Sequence, residues 1–321
     1  MAEGSGRKVV IAALIGNALI AATKLAAGLF TGSSAMLSEA AHSLVDTCNE
    51  VLLLYGMRRA SRPATLSHPY GFGREIYFWG FVVAVLIFGL GAGWSVYEGV
   101  RGLAAGRTGA GETDPLVNYV VLGVSALFEG GSFYVGAREF NRARGERRWY
   151  SALRRSKDPA VFVALLEDTA ALVGLAIAFA GVGLAQWTGN PAFDASASIL
   201  IGIVLAAVAI FLAQECKGLL LGESADPAVI DGIVEIALAN RRVHRVVEVL
   251  TTHFGPEDVL LNLGVELRDG LSGEEMEAAV VELEAEIRNR FPVVRRVFIE
   301  VAGFPAHPLM PPVRSRGGGG R

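Results

Sequence analysis

The stretch SSAMLSEAAHSLVDTCNEVLLLYGM, Ser33–Met57, is long enough to cross a bilayer, yet it carries Glu39, His42, Asp46 and Glu50. A spanning helix needs about 20 mostly apolar residues, because a hydrocarbon core of about 30 Å is crossed at about 1.5 Å per residue. Ser38, His42 and Asp46 stand at i, i+4 and i+8, so a helix here presents them as one polar stripe. An Asp at the centre of a membrane helix costs about 2.5–3.5 kcal/mol even on a lenient insertion scale. Such a residue must face a partner, a wet cavity or an ion. An imidazole and a carboxylate one turn apart supply nitrogen and oxygen ligands suited to zinc and its first-row neighbours. Two corners of a tetrahedron are then left to other helices.

Working outward, the chain of 321 residues is 52% hydrophobic and 19% charged, against about 25% charged in a soluble domain. The deficit is confined to the first two thirds, where six segments approach spanning length: Val9–Phe30, Ser33–Met57, Ile76–Val100, Pro115–Gly136, Pro159–Leu184 and Ala195–Ala213. The first follows Arg7 and Lys8 but is too long for a signal peptide's apolar core and ends without a small-residue cleavage site. It is read as a helix that stays. Arg58, Arg59, Arg62 and Arg74 lie between spans two and three. Arg142, Arg144, Arg147, Arg148, Arg154, Arg155 and Lys157 lie between spans four and five, whereas the alternate loops hold Arg101 and Arg107. The positive-inside rule therefore places both basic loops and both termini in the cytosol. A net charge of −3 with no basic domain gives no support to nucleic-acid binding, and Cys48 and Cys216 suggest no disulfide framework.

Span five carries a second acidic cluster, Glu167 and Asp168, with no basic residue near it in sequence. Adjacent helical residues point about 100° apart, so the two are not expected to serve one ion equally. The bland alternative for both clusters is a set of helix–helix hydrogen bonds with protonated carboxyl groups. That reading suits isolated groups such as Asn17 and Ser198 better than two clusters in two spans. Lys24 is expected to snorkel toward the outer surface. Glu129 in span four can serve as ligand, proton site or packing acid, and Cys48 is turned away from the Asp46 face. His244, His253 and His307 show no paired ligand spacing.

From Asp226 the pattern changes to that of a soluble domain. Asp226-Pro227 is an N-cap and first-turn proline before a face of Ile230, Ile233, Val234 and Ala237. Val243–Thr252 and Val259–Leu267 read as strands about a Gly255-Pro256 turn, Ser272 and Glu275 as a capping box, and Val297, Ile299 and Val301 as an alternating final strand. The expected fold is a membrane all-α six-helix bundle followed by a cytosolic α+β, ferredoxin-like, C-terminal domain. The expected divisions are a cytosolic N-terminus at 1–8, a transport region at 9–221, an α+β dimerisation domain at 222–304 and a disordered tail at 305–321.

Six spans, His42-Ser-Leu-Val-Asp46, the loop His68-Pro-Tyr-Gly-Phe-Gly-Arg-Glu75 and a C-terminal α+β domain together resemble the cation diffusion facilitator family from about Lys8 to Val301. Leu166-Glu-Asp-Thr-Ala-Ala171 beside His42-Ser-Leu-Val-Asp-Thr47 is most similar to the zinc-transporter-9-related branch. The resemblance implies a secondary transporter, not an enzyme, that exports divalent transition-metal ions from the cytosol in exchange for protons. Zinc is the first candidate and manganese, iron or cobalt the others. It implies no resident cofactor, a homodimer and a multi-pass location in the cell membrane. The family draws two ligands each from spans two and five. His42, Asp46 and Asp168 match three of these, while the fourth falls on Ala164, so Glu167 is the first substitute. A second loop histidine is replaced by Phe72, and Val247, Gly264 and Ile299 occupy C-terminal metal positions. Arg74 and Glu223 fall where the family places a charge interlock. The rival reading is a metal-binding membrane regulator or scaffold without transport. An intramembrane hydrolase finds no HExxH and no paired nucleophile and base.

Overall fold

The computed structural model describes residues 3–104, 116–145, 148–149, 152–153 and 156–301. Residues 1–2, Arg107, Pro115, Arg147, Arg154, Arg155 and the tail 305–321 with His307 lie outside these ranges. The chain divides into two compact units, Met1–Arg59 with Glu75–Lys217 and Ala60–Arg74 with Gly218–Arg321.

The first unit is helical: α1 (Glu3–Thr31), α2 (Ser34–Ala60), α3 (Glu75–Leu86), α4 (Gly93–Ala104), α5 (Leu116–Arg144), α6 (Pro159–Thr188) and α7 (Ala192–Leu221). Among the described residues four helical stretches are long and apolar enough to cross a membrane: Glu75–Ala104, Leu116–Arg142, Val161–Thr188 and Ala192–Leu221. The α1 helix holds a shorter apolar stretch, Asn17–Thr31. With 27 residues, α2 measures about 40 Å, and its polar stripe lowers its hydropathy without shortening it. Large apolar side chains such as Leu127, Phe128, Leu200 and Ile203 point outward. In lipid that arrangement carries no penalty, so helix contacts depend on close packing instead. Glycines provide it where α7 meets α4. A Cβ at Gly202 would stand 2.6 Å from Val96 Cγ2, and one at Gly99 2.6 Å from the Ala195 carbonyl.

Between α3 and α4 a π-helical turn, Ile87–Ala92, keeps the span continuous. Such turns relax the i to i−4 ladder and are frequent at functional positions. Just beyond it Ser95 donates its hydroxyl to the Gly91 carbonyl at 2.9 Å, while its own carbonyl accepts from Ser198 Oγ of α7 at 2.7 Å. The α1–α2 turn passes through Gly32 at φ 70°, where a Cβ would be strained, and its N–H donates to Gly28 O at 2.9 Å.

The second unit contains α8 (Pro227–Ala239), β1 (Val243–Gly255), β2 (Asp258–Leu267), α9 (Gly273–Arg290) and β3 (Val294–Val301). The sheet order is β1-β2-β3, with β1–β2 antiparallel and β2–β3 parallel. Alternate β2 residues Val259, Leu261, Leu263 and Val265 meet Ile233, Ile236 and Ala237 of α8 and Leu283 and Ile287 of α9 in one core. Ile236 and Gly232 thus join the buried face of α8, and Met276 of α9 stays exposed. Asp226 caps α8 by accepting from Ala228 N at 2.9 Å. The Ser272/Glu275 capping box is complete, at 2.8 and 3.3 Å. Donation from Ser272 holds the Glu275 carboxyl below the usual carboxylate range.

The loop before α3 belongs to this second unit. Arg74 donates to the His253 carbonyl at 3.2 Å and to Thr252 Oγ1 at 3.1 Å, and its guanidinium lies 4.4 Å from the Phe254 ring centroid. Tyr70 stacks on Phe254 at 4.8 Å. Arg74 therefore anchors the loop to the end of β1.

Candidate ion site in the helical unit

The polar residues of α2 meet a different neighbour at each turn of the helix. At one end Asp194 of α7 accepts from Ser33 Oγ at 2.7 Å and from the Ser34 N–H at 2.6 Å. One turn on, Ser38 hydrogen-bonds Ser198. Glu39 and Ser43 follow, both bonded to Lys24 of α1. Then come His42 and Asp46, and after them Asn49, which donates to Glu167 Oε1 of α6 at 2.6 Å. Glu50 accepts from Asn17 of α1 at 2.7 Å. Ser34, Ser38, His42, Asp46 and Glu50 are spaced i, i+4, and each such step turns by about 40°, so successive polar side chains face successive neighbours.

His42 and Asp46 come together. Nδ1 and Oδ1 are 3.4 Å apart, without hydrogen-bond alignment. His42 is 1% exposed, and neither ring nitrogen has a protein hydrogen-bond partner; Asp46 Oδ1 is likewise buried and unpartnered. Buried polar atoms are paired in the large majority of cases, and each orphan costs about 1–3 kcal/mol. The neutral ring can offer one of its nitrogens beside Asp46 Oδ1, so the pair presents one imidazole nitrogen and one carboxylate oxygen as ligand atoms.

The two α6 carboxylates stand nearby but are engaged elsewhere. Glu167 is buried against Asn49, and Asp168 accepts from Ser132 Oγ of α5 at 3.0 Å. Glu167, Glu129, Lys24 and Asp168 all lie within electrostatic range of Asp46. In this conformation, among the described residues, no three His, Cys, Asp or Glu side chains converge closely enough to hold an ion. Ala164, one turn before Asp168, is exposed and offers no ligand atom.

Three features escape a reading of the sequence alone. Lys24 does not snorkel: it is fully buried, and its ammonium meets Glu39, Ser43 and Glu129. A signal for this was available, because Asn17, Lys24 and Thr31 recur every seven residues on α1 and each bonds inward, Thr31 to Asn118 Oδ1 at 2.9 Å. Asn49 and Ser132 hold the two α6 carboxylates, and nothing in their local sequence announces it. Gly174 is the third feature, since a Cβ there would collide with Glu39 Oε1. In the loop before α3, His68 packs its ring 4.5 Å from that of Phe72.

The family model described as the cation efflux transmembrane domain matches residues 10–221. The chain is 32% identical to the "Proton-coupled zinc antiporter SLC30A9, mitochondrial" of Xenopus laevis, over 93% of this chain and 60% of that protein. It is 34% identical to "Metal tolerance protein C4" of Arabidopsis thaliana, over 68% of this chain and 48% of that one. "Manganese efflux system protein MneP" of Bacillus subtilis is 24% identical, over 93% of this chain and 96% of that protein. The chain spans about three fifths of the length of the SLC30A9 relatives it matches, 60% and 59% for the frog and human proteins. Apolar helices of spanning length and the family match together make this a multi-pass membrane protein. It belongs to the cation efflux, or cation diffusion facilitator, family, on the zinc-transporter-9-related branch.

Proposed function

We propose that this chain is a secondary active transporter of divalent transition-metal cations, zinc foremost, exporting them from the cytosol in exchange for protons. The observation that carries this reading is the adjacent His42/Asp46 pair with three buried polar atoms that have no hydrogen-bond partner. An imidazole among carboxylates favours zinc over harder ions. The names of the relatives, a proton-coupled zinc antiporter and a manganese efflux protein, point the same way.

In the proposed cycle an ion entering between α2 and α6 binds His42 and Asp46 first. Asp168 then leaves Ser132 and Glu167 leaves Asn49 to complete the shell, with Glu167 in place of the ligand that Ala164 lacks. Binding needs neutral imidazole and ionised carboxylates, so the incoming ion displaces protons. Rocking of the helices opens the site to the far side, where protons reclaim the ligands. Both α1 and α2 complete a six-span bundle, with basic loops and both termini in the cytosol and the protein in the cell membrane. The C-terminal unit is proposed to be ferredoxin-like and to pair two copies as a homodimer.

Purified full-length protein in liposomes with an imposed proton gradient is expected to move zinc, with a flux that follows the gradient's direction. Manganese, iron and cobalt in the same assay rank selectivity. Zinc binding without flux would favour a membrane regulator or scaffold instead, and flux indifferent to the gradient would remove the antiport step.

A further inference from the structure

Lys24 lies fully buried on α1, with its ammonium 2.7 Å from Ser43 Oγ, 3.3 Å from Glu39 Oε2 and 3.7 Å from Glu129 Oε1. Three helices, α1, α2 and α5, thus close around one fixed positive charge. Its α2 partners flank His42: Glu39 lies three residues before it and Ser43 directly follows. The charge is close enough to act on both His42 and Asp46.

Fold stability does not account for an ammonium at this position. A buried ion pair is often no better than a well-packed apolar pair of similar volume, because both charges lose their hydration. Methionine is close to lysine in length and would fill the same space. The charge instead has two effects on an ion at the His42/Asp46 site. It repels a dication directly, through a medium that screens less than water. It also occupies Glu39 and Glu129, so these carboxylates are not free to deepen the ion's well. A transport site must release its ion in every cycle, and the carboxylates within electrostatic range of Asp46, namely Glu129, Glu167 and Asp168, would hold a dication too tightly without a compensating charge.

We propose that Lys24 is a resident counter-charge that limits how tightly the transport site holds its divalent ion and thereby keeps release fast. It is a positioning residue, acting on the ion through space and through Glu39 and Glu129, and the inference rests on the transport reading above.

The test compares Lys24→Met and Lys24→Arg with the wild type in zinc uptake by full-length protein in liposomes, alongside zinc titration of the same preparations. Lys24→Met is expected to lower the apparent KM and the dissociation constant by about tenfold or more, the scale of losing one nearby repulsive charge. The same variant should lower kcat as release becomes limiting, while Lys24→Arg restores values near wild type. A folded Lys24→Met protein with unchanged or weaker zinc affinity would overturn the role. Should that variant fail to fold, Lys24→Met with Glu39→Gln is compared with Glu39→Gln alone, and equal affinities would overturn it likewise. Wild-type protein that moves no divalent ion would sink the transport reading itself, a failure distinct from wild-type flux with an unaltered Lys24→Met affinity.

Discussion

Asp46→Ala and Asp168→Ala are each expected to reduce zinc flux in liposomes by about 100-fold or more while leaving the helical unit folded. Even a residue that only orients a metal ligand is worth about 10–100-fold in affinity or activity, so loss of a proposed ligand should do at least as much. Asp46 is the sharper case. Its Oδ1 is buried without a partner beside His42, so alanine removes an uncompensated group and stability should hold or rise. Asp168 gives up one hydrogen bond from Ser132, a loss of about 1.5–3 kcal/mol for a charged acceptor that a protein of this size can absorb. Glu167→Ala should act differently. It removes the proposed substitute ligand and also strands the buried Asn49 amide, so reduced flux comes with a lower Tm. A flux unchanged in folded Asp46→Ala protein would place the ion elsewhere.

The second large effect is on stability. Glu39→Ala removes the fully buried carboxylate that accepts from Lys24, leaving the ammonium to Ser43 and the longer contact with Glu129. Breaking one partner of a buried pair typically costs about 3–5 kcal/mol. The remaining contacts argue for the lower end. The double variant Glu39→Met with Lys24→Met removes both charges and should recover most of the loss, a coupling that thermal unfolding of the detergent-solubilised protein can measure. Glu39→Ala protein as stable as wild type would show that Lys24 is held chiefly by Glu129.

The sequence shows the outline of the fold plainly because bilayer thickness leaves few choices. Twenty apolar residues make a span, and an i, i+4 stripe within one marks the face turned inward. Ala228 and Glu275 find the caps that Asp226 and Ser272 announce for the same local reason. What remained hidden was pairing across helices. Lys24 taken alone on α1 is compatible with snorkelling outward or pairing inward; its seven-residue spacing from Asn17 and Thr31 marks the inward face, and Glu39 and Glu129 from α2 and α5 supply the partners that the sequence does not name. Likewise the spacing of Glu167 and Asp168 reveals an acidic pair but not that Asn49 and Ser132 hold its two members apart. The π-helical turn at Ile87–Ala92 has no composition of its own, since it arises where an apolar, glycine-containing segment adjusts to its neighbours.

Zinc K-edge absorption of the zinc-loaded, full-length protein in lipid reports the atoms bound to the ion and so bears directly on the site proposed between α2 and α6. The spectrum should show one imidazole nitrogen with oxygen ligands and no sulfur, and His42→Ala should erase the imidazole signal. Sulfur scattering, which would implicate Cys48 or Cys216, or an imidazole signal that survives His42→Ala, would contradict it.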